Sequence, residues 1–112
     1  MKKYILIVDD DKDIRDILSL HLKDELRIVY TAADGSEALE IIAENGMPDL
    51  IITDLQMPNI DGYEFLKILG EKYKNHNTHL IILTKYDDVA AKISGFKAGA
   101  VRYITKPFLI NK

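Results

Sequence analysis

"ILIVDD", residues 5–10, is an unbroken apolar run that stops in two acids. A strand with one face in water alternates apolar and polar side chains, whereas a run without polar breaks suits a strand covered on both faces. "LII" at 50–52 and "LIIL" at 80–83 have the same character, while "RIVYT" at 27–31 and "VRYI" at 101–104 mix in polar residues. The five β-type runs, at 4–8, 27–31, 50–53, 80–83 and 101–104, are separated by four segments of helical spacing. Ile14, Ile17, Leu18 and Leu22 form one stripe, Leu39 and Ile42 a second, Leu66, Leu69 and Tyr73 a third, and Val89, Ile93 and Phe96 a fourth. This alternation predicts an α/β fold: a doubly wound five-stranded parallel sheet with helices on its faces. The first, third and fourth runs belong at the centre and the mixed ones at the edges, which favours the order 2-1-3-4-5.

The 112 residues suit one domain. A net charge of −3 provides no basic surface, which argues against direct nucleic-acid binding by this segment. The chain has no cysteine, which excludes disulfides, thiol catalysis and cysteine-ligated zinc. Its apolar runs are too short for a membrane span or a signal peptide, so a cytoplasmic location is expected.

In a doubly wound sheet, ligands bind beyond the carboxyl ends of the strands, where the strand order reverses. Asp9 and Asp10 follow the first run, Asp54 the third, Thr84 the fourth, and Lys106, after Thr105, the fifth. Three carboxylates, a hydroxyl and an ammonium are thus expected at one edge. Two unit charges about 4 Å apart repel by about 4 kcal/mol at an effective dielectric near 20. Oxygen ligands without His or Cys suit a hard cation, and Mg²⁺ held by one or two carboxylates plus waters is the natural counter-ion. Asp11 and Asp13 need no metal, because a helix start favours a capping oxygen and negative charge. Asp34, Asp61 and Asp87 or Asp88 are expected as turn or capping residues, and His21, His76 and His79 lack metal-site spacing.

With "VDDD" at 8–11, "TDLQMPNIDG" at 53–62, "LT" at 83–84, "AGA" at 98–100 and "TKPF" at 105–108, the chain resembles the receiver domain of two-component response regulators over about residues 4–109. The resemblance implies a flavodoxin-like signalling switch rather than a metabolic enzyme. It implies Asp54 as the phosphoacceptor, receiving its group from a sensor histidine kinase or phosphotransfer protein. Asp10 would be the direct Mg²⁺ ligand, Asp9 its neighbour acting through metal-bound water, and the Gln56 carbonyl a further ligand. Lys106 and Thr84 would hold the phosphoryl oxygens. Thr84 and Tyr103 would form the conformational switch that controls an output domain or partner. A cis bond before Pro107 would aim Lys106 into the site.

Two departures from the family pattern stand out. Lys85 occupies a position that is usually Ala or Gly; it would either tune the lifetime of the aspartyl phosphate or point into solvent. The chain also ends "LINK" at 109–112, where the family continues through a fifth helix. The fifth helix is therefore expected to be absent or truncated, and residues 1–112 to be a single C-terminally truncated receiver domain. Apolar surface left open there would favour a homodimer or exchange of an element between chains. Two other classes compete. A Mg²⁺-dependent phosphatase with an Asp nucleophile would carry "DxDxT" after its first strand. A flavodoxin-like cofactor binder would carry a Gly-, Ser- or Thr-rich phosphate loop there.

Overall fold

The architecture comes from a computed structural model that describes residues 2–54, 62–72, 78–84 and 100–105, with the backbone alone at 62–63, 84 and 100–105. In chain order the elements are β1 (Lys3–Val8), α1 (Lys12–Leu22), β2 (Arg27–Ala32), α2 (Gly35–Asn45), β3 (Leu50–Thr53), α3 (Gly62–Lys72), β4 (His79–Thr84) and β5 (Ala100–Thr105). The strands form one sheet in the order β2-β1-β3-β4-β5, as expected. All four pairings are parallel. The continuously apolar runs became β1, β3 and β4, inside the sheet, and the two mixed runs became its edges. On the edge strand β2, Ile28 and Tyr30 remain exposed.

The chain runs from β1 outward to β2 and then back past β1 to β3. Because crossovers between parallel strands are right-handed, α1 and α2 fall on opposite faces. On the α2 and α3 face, Ala38, Ile42, Phe65, Leu66 and Leu69 bury against Leu6, Val8, Ile51, Leu80 and Ile82. Ile42, Leu66 and Leu69 bear out their stripes. Ala38 and Phe65, both fully buried, extend the stripes beyond what spacing alone picked out. The first stripe needs correction, because no residue of α1 is buried. Ile14, Leu18 and Leu22 are half-buried, and Ile17 is 46% exposed. Spacing marks the apolar side of a helix, but burial depends on what lies over that side.

Helix starts follow the acids. Asp11 caps α1 by accepting the Asp13 N–H at 2.9 Å, and Asp34 caps α2 by accepting the Glu37 N–H at 2.8 Å. The helix α2 ends at Gly46, whose φ of 84° lies in the left-handed region that a side chain disfavours. Tyr73, the Val89–Ile93–Phe96 stripe, Asp61, Asp87, Asp88, and the expected absence of a fifth helix at the chain's end lie outside the described residues.

Candidate functional site

At the carboxyl edge of the sheet, two main-chain bonds carry the ladder one residue past the strands. The Asp9 N–H donates to the Ala32 carbonyl at 3.0 Å, and the Asp54 N–H donates to the Val8 carbonyl at 2.9 Å. Val8 stands beside Thr53 in the β1–β3 register, so Asp9 and Asp54 leave neighbouring strands side by side. Strand order reverses between these two strands, the place where such sheets bind ligands. Asp9 and Asp54 are buried, at 2% and 5% exposure, while Asp10 is exposed.

Further bonds support the turn after each strand. The Asp9 carboxylate accepts the Asp11 N–H at 2.9 Å. Arg15, one turn into α1, donates from Nη1 to the Asp9 main-chain carbonyl at 2.7 Å. Under Asp54, the buried Thr53 hydroxyl donates to the Asp54 carbonyl at 2.9 Å.

One carboxylate oxygen from each of Asp9, Asp10 and Asp54 lies within 4.8 Å of the other two. Oxygens on opposite sides of an octahedral Mg²⁺ are about 4.2 Å apart, so small movements or one bridging water would let this set hold the ion. The donors are all hard oxygens, the kind of set that suits a hard divalent cation. The residues fit Mg²⁺. Among the described residues, this is the one cluster of three or more acidic, His or Cys side chains with that geometry.

The other sequence candidates stand as follows. Thr84 closes β4 opposite Thr105 of β5, and Tyr103 lies in β5 opposite Ile82, both placed by backbone. Gln56, Lys85, Lys106 and Pro107 lie outside the described residues, as does His76. His21 and His79 are exposed. Sequence reasoning missed Arg15 and Thr53. Arg15 did carry a signal: it is a cation near the start of a helix, where the macrodipole favours anions, so a local acceptor is needed to explain it.

The family model of the response regulator receiver domain matches residues 5–112. The chain belongs to this family. Among relatives, the receiver is 42% identical over 107 residues to the probable transcriptional regulator ycf27 of Guillardia theta, a match that covers 96% of this chain and 41% of that protein. The chain thus spans about two-fifths of that relative's length. Among solved structures, the receiver domain of the Francisella response regulator 1452 is 38% identical with a TM-score of 0.82, covering 96% of this chain and 87% of that one. The BeF3-activated DrrB receiver domain is 33% identical with a TM-score of 0.82, covering 97% of this chain and 88% of that one. No helix among the described residues is long and apolar enough to cross a membrane.

Proposed function

We propose that this receiver is a phosphorylatable switch of a two-component system, with Asp54 as the phosphoacceptor. The observation that carries the reading is the meeting of Asp54, buried at the end of β3, with the carboxylates of Asp9 and Asp10. In the transfer, an Asp54 carboxylate oxygen attacks the phosphorus of a phosphohistidine on a sensor kinase or phosphotransfer protein. The P–O bond forms as the P–N bond breaks, and its electron pair returns to the imidazole. Water later attacks the same phosphorus and releases inorganic phosphate and the free carboxylate.

Asp9, Asp10, Asp54 and the Gln56 carbonyl would hold Mg²⁺, which supplies neutralisation of charge on the transferring group. Thr53 and the Val8 carbonyl keep the Asp54 main chain in place during attack, so the nucleophile is positioned before the donor arrives. Lys106 and Thr84 hold the phosphoryl oxygens. Thr84 and Tyr103 carry the resulting shift towards β5 and the partner surface. The longer relative described as a probable transcriptional regulator supports an output domain joined to such a receiver.

The test is incubation of the chain with a small phosphodonor and Mg²⁺, followed by intact mass and site mapping. A stoichiometric, Mg²⁺-dependent adduct on Asp54 is the expected result. Turnover of free phosphate esters without an adduct would instead mark a phosphatase. An adduct on another residue, or none, overturns the assignment.

A further inference from the structure

Of the three acids, Asp10 is the one in solvent. Its direction therefore depends on the main chain that leads into it. The peptide unit between Asp9 and Asp10 is planar, so where the chain on both sides of it is held, a turn of its carbonyl changes ψ of Asp9 and φ of Asp10 together. That carbonyl belongs to Asp9, and Arg15 grips it at 2.7 Å. Two more restraints on this turn act on Asp9 itself: its N–H is bonded to the Ala32 carbonyl, and its carboxylate accepts from the Asp11 N–H.

We propose that Arg15 is a positioning residue for the acidic site. Its guanidinium clamps the Asp9–Asp10 peptide so that the Asp10 carboxylate faces Asp9 and Asp54. This inference rests on the reading of the three acids as a Mg²⁺ site. Arg15 is half-buried, and its bond joins the helix α1 to the end of β1, so the orientation of the helix becomes part of the site's geometry. The planar fork suits this task better than an ammonium would, since its donors are held in fixed directions.

Electrostatics alone makes the opposite prediction. Arg15 is a cation near a cation site, so if it acted only through charge, its loss would tighten Mg²⁺ binding. If it acts by holding the turn, its loss weakens binding, and outer partners of metal ligands commonly govern about 10- to 100-fold in affinity. The sign of the change separates the two.

The experiment is Mg²⁺ titration of the whole chain and of Arg15→Met and Arg15→Lys, followed through main-chain amide resonances of residues 9–11 and 54. Hydrogen exchange of the Asp11 amide is measured alongside, with the Glu37 amide, capped by Asp34, as internal reference. Arg15→Met is expected to bind Mg²⁺ about tenfold more weakly, with faster exchange at Asp11 and unchanged exchange at Glu37. Arg15→Lys is expected to lose less. Binding as tight as wild type or tighter in Arg15→Met overturns the role of Arg15 alone. If that variant fails to fold, wild-type affinity together with unchanged Asp11 exchange in Arg15→Lys does the same. A wild-type chain whose amides ignore Mg²⁺ removes the metal-site reading and this inference with it.

Discussion

Asp49 stands just before β3 and Asp54 just after it, so one short strand carries an acid at each end. The Asp49 carboxylate accepts the Tyr4 N–H at 2.8 Å. Its own N–H donates to the Tyr4 carbonyl at 2.8 Å, and its carbonyl accepts the His79 N–H at 3.0 Å, tying β1, β3 and β4 together at their starts. Its surroundings are an open groove that Lys3, Arg27 and His79 also line. Asp54 is tied by its main chain alike, yet its carboxylate faces two more carboxylates and is shut away from water. An exposed acid that completes a backbone ladder beside bases is structural. A buried acid whose oxygen gathers with those of two more acids offers a place for a hard cation.

Breaking the carboxyl end should have the larger consequence. Asp54→Asn is expected to abolish adduct formation with a small phosphodonor, read by intact mass. It should also shrink the stabilisation by Mg²⁺, which at a hundred times its Kd amounts to about 2.7 kcal/mol for a protein that binds it only when folded. Full modification of Asp54→Asn would dissolve the contrast between the two ends. Thr53→Val leaves the carboxylates in place but removes the buried donor to the Asp54 carbonyl. It should cost about 1–2 kcal/mol in the urea midpoint and slow phosphorylation. An unchanged rate would mean that Thr53 serves the fold alone.

At the amino end, Asp49→Ala should cost about 1 kcal/mol, since the lost bond is exposed. Mg²⁺ affinity should not move; if it does, the two ends are coupled. The smallest effect is expected at Tyr4, whose hydroxyl is buried without a hydrogen-bond partner. Burial, and then the Tyr30 hydroxyl, push its pKa from the usual 10.0 up to about 12. A raised pKa means that the fold prefers the neutral phenol. Stability from this group is therefore complete below pH 10 and is lost as pH rises towards 12. Tyr4→Phe should raise stability at neutral pH by less than about 1 kcal/mol and flatten the alkaline decline, as followed by thermal unfolding across that range.

Much of this was legible beforehand. Strand positions could be read because burial on both faces erases alternation, and helix starts at Asp11 and Asp34 because a capping oxygen must precede the first turn. The acids could be grouped because strand ends in a parallel sheet share an edge. Other features were not legible. The exposure of Ile17 depends on what covers α1, and a stripe carries no information about that. The burial of Phe65 and Ala38 depends on how α2 and α3 meet over the sheet. The Asp49 ties span 30 residues to His79 and 45 to Tyr4, and a lone Asp after Pro48 looks like any turn.

Periodicity and the chemistry of strand ends were enough to place Asp9, Asp10 and Asp54 at one edge, because both follow from local spacing and from the handedness of the crossovers. Which of these acids is buried and which meets water came only with the folded chain, as did the guanidinium that grips the peptide between the first two. The physical reason is range. Periodicity acts over a few residues, whereas burial and the bond from Arg15 to Asp9 require the end of β1, the start of α1 and the end of β3 to be in place together.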